Sequence, residues 1–253
     1  METVTASGNP IVKRMKALSD AKGRREQGVF LVEGEVMIGE ALGSGLIPVE
    51  ALAEAESPVL SRLSEAGAGV KLCSRHVLET VCDTKTPQGI CCSFRLPDNG
   101  TVPADARLLL ALDGVQDPGN MGTILRTADA AGWQGAYLSD KCADVYSPKV
   151  QRAAMGSGFR VGTERADLPE KLSSLKQEGW KVIVSALDGA PLYENTEGGD
   201  RLILVIGNEA RGVTPEVQAL ADIKVKIPMR GKAESLNAAV AAGILMYEFT
   251  KNL

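Results

Sequence analysis

A single histidine, His76, occurs in 253 residues, and that scarcity removes several chemistries at once. A Ser-His-Asp triad needs an imidazole beside its nucleophile, and His76 stands far along the chain from the glycine-rich loops described below. Neither a Gly-x-Ser-x-Gly elbow nor a Walker sequence is present. The five cysteines (Cys73, Cys82, Cys91, Cys92 and Cys142) include no Cys-x-x-Cys pair. Cys73-x-x-His76 is at most half of a zinc site, because a tetrahedral site needs a second pair at comparable spacing. The thiols therefore read as reduced and buried, and no metal is expected. No apolar run approaches the length of a membrane span, and "METVTASGNP" lacks the basic-then-apolar layout of a secretory signal. The expectation is a soluble cytoplasmic protein that makes no use of a membrane.

Excess positive charge is also missing. A formal net charge of −4 argues against indiscriminate polyanion binding by the whole surface. Its distribution is uneven, however. Between residues 10 and 26, Lys13, Arg14, Lys16, Lys22, Arg24 and Arg25 face only Asp20 and Glu26. The cluster is either a solvated helix face or a phosphate-contacting patch on an otherwise acidic protein.

What is present is alternation. "NPIVKRMKALSDAKGRREQG" has helical spacing at Ile11, Met15 and Leu18, and "VFLVEG" reads as a short buried strand. "EVMIGEALGSG" is a helix stopped by glycine, "IPVEALAE" is extended, and "SPVLSRLSEAG" opens as a helix on Ser-Pro. "AGVKLCS", "RHVLETVCD" and "GICCSFRL" continue as strand, helix and strand. Residues 1–96 thus form an α/β unit of about four strands. "PDNGTVPAD", residues 97–105, is the linker candidate. In 106–253 the strands are stronger: "RLLLALDG", "GAYLSD", "GFRVGTE", "KVIVSALDG", "RLILVIGNE" and "DIKVKIPM". Continuous apolar strands separated by helices imply a mostly parallel sheet covered on both faces. Ligands of such sheets collect in the loops after the strand carboxyl ends.

Three of those loops are rich in glycine and polar residues. In "DGVQDPGN" a turn leads into a helix, with Asn120 placed to cap it. The stripe Met121, Ile124, Leu125, Ala128 and Ala131 is its buried face; Thr123, Arg126, Thr127 and Ala130 share another. In "GNEARGVTPE", Gly207 either lets a ligand lie against the backbone or merely makes the turn. Glu209 either pairs with Arg211 or binds something. In "PMRGKAESLN", Ser235 and Asn237 sit where a helix of small residues begins, as caps or as hydrogen-bonding groups for a ligand. "GSGFRVG" mimics a dinucleotide fingerprint, but its third glycine is one place late and an extended segment follows it.

Taken together in order and spacing, these loops resemble the SpoU/TrmH family of RNA ribose 2′-O-methyltransferases, in the SPOUT class. "DPGNMGTILRTADAAG" is similar to that family's first motif, "LVIGNEARGV" to its second, and "IPMRGKAESLNAAVAAGI" to its third. Residues 1–96 resemble, more weakly, the ribosomal-protein-like RNA-binding domain that many members carry in front. The resemblance implies a deep trefoil knot in the second domain, S-adenosylmethionine held in the knot, and a homodimer packed through it. By position it assigns Gly207, Ile227, Met229 and Leu236 to the cofactor, and Asn120, Arg126, Glu209, Ser235 and Asn237 to catalysis and substrate positioning. It also favours phosphate contact for Lys13, Arg14, Lys22, Arg24 and Arg25, since a structured RNA would need a patch away from the reacting ribose. The activity implied is methyl transfer to a ribose 2′-hydroxyl, in ribosomal RNA by virtue of the extra N-terminal domain. A transfer-RNA target, or a non-catalytic RNA- or ribosome-binding protein on the same fold, is the alternative.

Overall fold

Capping residues set most element boundaries in this computed structural model, which describes residues 3–82, 84–97, 102–194 and 199–251. The basic N-terminal run is two helices rather than one. The first, α1 (Pro10–Lys16), is capped by Asn9 and runs into a 3-10 turn at Ala17–Ser19. Asp20 then accepts from Gly23 N at 2.8 Å and starts α2 (Ala21–Gln27), which ends on left-handed Gly28. A side chain at position 23 would strike the Ala17 carbonyl, so the two helices close against each other only through a glycine.

The chain divides into two compact units, Met1–Asp98 with Tyr146–Phe159, and Asn99–Val145 with Arg160–Leu253. In the first unit, β2 (Val29–Glu33), β3 (Pro48–Ala53), β4 (Gly69–Cys73) and β5 (Ile90–Arg95) fall where the sequence suggests them. A two-residue strand β1 (Thr3–Val4), invisible to periodicity, extends the sheet to the order β1-β4-β3-β5-β2. Helices α1 and α5 (Arg75–Val81) bury Ile11, Met15, Val77 and Leu78 on one face with Leu31, Leu52 and Cys91. Helices α3 (Glu35–Gly43) and α4 (Pro58–Glu65) cover the other face over Phe30, Ala51 and Phe94. Tyr146 and Phe159, on either side of α7 (Pro148–Ala154), pack on that second core; the rings of Phe30 and Tyr146 stand 4.8 Å apart. Of the linker candidate 97–105, residues 98–101 lie outside the described residues.

The second unit is a six-stranded sheet, parallel throughout: β6 (Leu108–Asp113), β7 (Gly135–Leu138), β8 (Gly162–Arg165), β9 (Lys181–Pro191), β10 (Leu202–Gly207) and β11 (Ile223–Lys226). Their order is β11-β9-β10-β6-β7-β8. The expected strand "GFRVGTE" is shorter than its apolar pattern suggests: Ser157–Phe159 is a 3-10 turn, and pairing begins at Gly162. On one face Leu109, Ala111, Val182, Val184, Ile203 and Val205 meet Leu168, Leu172 and Leu175 of α8 (Leu168–Gln177) and Val217 of α9 (Pro215–Gln218). The helices α6 (Pro118–Ala130) and α10 (Ala238–Thr250) pack on each other, and α10 also meets β10. All of Met121, Ile124, Leu125 and Ala128 are 0% exposed, as the α6 stripe requires. Because every strand runs the same way, the three glycine-rich loops emerge on one side of the unit.

Candidate active site at the carboxyl ends of the parallel strands

The site begins with the turn after β6. Gly114, at φ +71°, turns the chain back, and its N–H donates to Ser139 Oγ at 2.9 Å in the loop after β7. Arg165 fixes that second loop by donating to the carbonyls of Ser139, Asp140 and Cys142 at 3.0, 3.2 and 3.1 Å. Burial pushes the Cys142 thiol up from its ordinary pKa, so it serves as a neutral donor to Leu112 O at 3.0 Å. These bonds build a stiff floor beneath the loops that carry the candidate residues.

Asn120 does not cap α6. Asp117 does, accepting from Asn120 N at 2.7 Å, so Asn120 is the third residue of the helix and its amide is free to reach sideways. Its Nδ2 donates to Glu209 Oε1 at 2.9 Å, and its Oδ1 accepts from Asn237 Nδ2 at 2.8 Å. Asn237 caps α10, its Oδ1 accepting from Ala239 N at 2.9 Å and Val240 N at 3.3 Å. Three residues from the three motifs, with Asn120 about a hundred positions before the other two, thus form one hydrogen-bonded chain. Glu209 answers to Asn120 and to Asn208 (3.4 Å), so its carboxylate serves the amides rather than Arg211.

The loop after β10 is held from inside. Asn208 Nδ2 donates to Gly114 O at 2.8 Å while its Oδ1 accepts from Ala210 N and Arg211 N, and its backbone makes a two-bond bridge with Gly212. At 7% exposure, Asp113 accepts from Thr214 N at 2.8 Å and Thr214 Oγ1 at 2.7 Å. Neither Asn208 nor Asp113 was singled out by sequence reasoning. Their signal was available: Asp113 is a polar residue ending the apolar strand β6, and Asn208 follows directly on apolar β10.

Gly207 has a sharper role than either sequence reading allowed. A Cβ there would stand 2.2 Å from Gly212 C and 2.3 Å from Val213 N. The space beside it is filled by the chain's own backbone, so no ligand lies on that side. Ile227, Met229 and Leu236 are half-buried in the segment between β11 and α10. Arg126 and Ser235 are exposed and, among the described residues, neither has a hydrogen bond or an ion pair. Small residues bring α10 close to α6 beside Arg126: a Cβ on Gly243 would be 3.5 Å from Thr127 Cγ2.

The N-terminal basic residues separate into different kinds. Arg24 is 3% exposed and donates to Leu18 O at 2.7 Å, tying the 3-10 turn to α2; its guanidinium is structural and cannot meet a phosphate. Arg14 is held bidentately by Glu50, and Lys22 lies 3.8 Å from Glu26. Lys13 and Arg25 are exposed and keep the expected availability. Among the described residues no group of His, Cys, Asp and Glu could hold a metal, and no helix is long and apolar enough to cross a membrane.

The donor set has a clear chemical sense. Asn120 and Asn237 each have a second N–H that the network does not use, and Arg126 brings a planar fork of donors. Such a set suits phosphate and alkoxide oxygens. Comparison with known proteins identifies the family. Residues 107–247 match the SpoU rRNA methylase family and residues 9–92 an MRM3-like substrate-binding domain. The chain belongs to the SpoU rRNA methylase family. The 23S rRNA (guanosine(2553)-2′-O)-methyltransferase RlmP of Bacillus subtilis is 39% identical over 247 residues, with 98% of each chain covered. The AdoMet-bound rRNA methyltransferase from Sinorhizobium meliloti superposes with a TM-score of 0.91 at 31% identity, covering 100% of this chain and 98% of that one. The SpoU methyltransferase AviRb from Streptomyces viridochromogenes, in complex with AdoMet, gives 0.85 at 26% identity, with 96% and 97% covered. The enzyme is an RNA methyltransferase whose methyl donor is S-adenosylmethionine.

Proposed function

We propose that the protein methylates a ribose 2′-hydroxyl in ribosomal RNA, in the cytoplasm, as a homodimer. The observation that carries the site assignment is the Glu209–Asn120–Asn237 chain, which ties the three loops into one donor-rich surface. Large-subunit RNA is the first target to test, because the relative RlmP acts on 23S rRNA over the same length of chain. The dimer is supported by α10, whose sequence is apolar nearly all round while Val240 and Tyr247 stay 52% and 54% exposed. A helix of that kind is normally covered on every side. We read the strand order and the α6–α10 packing as compatible with the family's knot.

The residues fit the cofactor. Half-buried Ile227, Met229 and Leu236, in the segment between β11 and α10, offer apolar surface of the sort an adenine ring takes. When bound, S-adenosylmethionine supplies a methyl group on a sulfonium, open to in-line attack by an oxygen. The protein must align the ribose and help its hydroxyl lose a proton. Arg126, unpaired on α6, donates to the flanking phosphate and to the oxygen as it becomes negative, lowering the cost of that charge. Guanidinium holds its proton too firmly to serve readily as the base, so its part is electrostatic, and the hydroxyl proton passes to an oxygen of the substrate's own flanking phosphate as the methyl group is transferred. The spare N–H groups of Asn120 and Asn237, with the hydroxyl of Ser235, orient the ribose. Glu209 keeps Asn120 turned the right way.

The test is transfer of labelled methyl to ribosomal RNA from a strain lacking the protein, followed by mapping of the ribose. Arg126→Ala should abolish transfer and leave cofactor affinity within a few-fold by calorimetry. Undiminished turnover would overturn the arginine's role, and cofactor binding with no transfer by the wild type would overturn the activity.

A further inference from the structure

Most cations of the second unit that lie away from the site are engaged: Arg160 with Asp129, Lys171 with Glu164, Lys176 with Asp222, Lys224 with Asp188 and Lys251 with Glu248; Arg107 is an exception. Those around the strand carboxyl ends are not. Arg126, Lys141, Arg211, Lys226, Arg230 and Lys232 are all exposed and have no ion pair among the described residues. Several carboxylates of the same loops are already committed: Asp117 caps α6, Glu209 holds Asn120, and Asp113 holds Thr214. Exposed and uncommitted are Asp140, Glu216 and Glu234, leaving the cations in excess.

The flanking members are Lys141, in the loop after β7, and Lys226, the last residue of β11. Lys141 stands beside Gly114, directly after β6, so with the order β11-β9-β10-β6 about three strand spacings separate the two lysines, or roughly 14 Å at about 4.8 Å per spacing. Lys141 is also well anchored. Its loop is pinned by the three Arg165 bonds, and its Cβ lies 4.0 Å from the position a Cβ on Gly114 would take. A cation on a stiff loop loses little freedom on binding.

We propose that Lys141 and Lys226 mark the two ends of a phosphate track across the sheet edge, which holds an unpaired stretch of RNA with its target ribose at the centre. This rests on the RNA-methyltransferase reading of the same site. A single strand advancing about 3.4 Å or more per nucleotide crosses such a track in a handful of nucleotides. A double-stranded-RNA-binding domain, by contrast, spans about 16 base pairs, a much longer footprint. The track therefore selects a loop, a bulge or an opened strand.

The experiment measures binding of a short fluorescent oligouridylate and of a blunt RNA duplex across a salt series, together with methyl transfer to ribosomal RNA. Lys141→Gln and Lys226→Gln should each weaken oligouridylate binding several-fold, reduce its salt slope by about 0.7, and raise the KM for RNA with kcat little changed. Lys141→Arg should restore the slope. Arg107→Gln provides the control: Arg107 is equally exposed and unpaired, but lies at the opposite end of the sheet, just before β6, and its loss should change nothing. Slopes unchanged in both lysine variants, or matched by Arg107→Gln, would overturn the track. Preferential loss of duplex binding would overturn the choice of an unpaired strand. A wild type that transfers no methyl group but shows the predicted slopes would refute the activity and leave the track standing.

Discussion

Substituting Gly207 separates two explanations that look identical in the sequence. If the glycine exists only to let a ligand approach, Gly207→Ala should lower cofactor affinity and leave stability alone. The structure demands the reverse emphasis. The new methyl carbon would sit 2.2, 2.3 and 2.5 Å from Gly212 C, Val213 N and Gly212 O, all backbone atoms. That is at least ~1 Å inside the ~3.5–4.0 Å separation at which carbon contacts are favourable. Backbone cannot rotate away as a side chain can, so the 208–212 loop must move. Moving it breaks the two-bond bridge between Asn208 and Gly212, at about 1 kcal/mol per bond. Overpacking strain adds about 1–3 kcal/mol. The expected loss is about 3–5 kcal/mol, or roughly 6–20 °C in Tm for a unit of this size. Transfer should fall with it, because displacing Asn208 also releases Gly114 O and Glu209. Scanning calorimetry without cofactor provides the decisive reading. An unchanged apo Tm alongside a large drop in cofactor affinity would refute the backbone argument.

Other outcomes follow from the same geometry. Asn120→Asp sets a carboxylate against Glu209 in place of an amide donor, so methyl transfer should collapse while urea unfolding shifts by less than about 1 kcal/mol. Arg24→Gln should cost about 2–4 kcal/mol by urea unfolding, since a buried carbonyl loses a charged partner, whereas exposed Arg25→Gln should cost under about 0.5 kcal/mol. Burial pushes the Cys73 and Cys92 thiols up to about 12. Their native forms therefore stay neutral while unfolded thiols ionise near pH 9. The stability they contribute is full below pH 9 and lost between about 9 and 12, at about 1.4 kcal/mol per pH unit per thiol; Cys73→Ala and Cys92→Ala should each flatten that slope in denaturation series. Tyr247→Glu with Val240→Glu should yield a monomer by analytical ultracentrifugation, and an unchanged dimer would move the interface off α10.

What could be read in the sequence was decided by the range of the physics involved. Strands β6, β7 and β10 are short apolar runs, and the alternation of such runs with helices implied a mostly parallel sheet, which is what stands. The stripe on α6 is likewise local. Boundaries failed where a side chain had a distant engagement. Asn120 read as a cap because caps are what asparagines do before helices; nothing nearby in sequence announces that Asp117 takes the cap and leaves Asn120 to Glu209 and Asn237. Arg24 read as a phosphate ligand because charge density is visible in sequence and burial is not. Its neighbour Gly23, pressed on the Ala17 carbonyl, was the available hint that α2 lies too close to the turn for Arg24 to reach solvent. Strand β1 is two residues long and has no period to detect.

The amide chain explains why the three motifs must occur together. The helix α10 fixes the first orientation: backbone N–H groups at its start can only donate, so Asn237 must present its oxygen to them. Its amino group therefore faces Asn120, which must answer with oxygen. The amino group of Asn120 is then forced toward Glu209, which as a carboxylate can only accept. Each link has a single allowed direction, so neither amide can flip without leaving a donor against a donor. The spare N–H on each asparagine is consequently fixed in place before any substrate arrives. Removing Glu209 would free Asn120 to turn and blunt that preorganisation without touching the reacting atoms, so Glu209→Ala should lower kcat while Glu209→Gln, which still offers Asn120 an oxygen, should recover part of it.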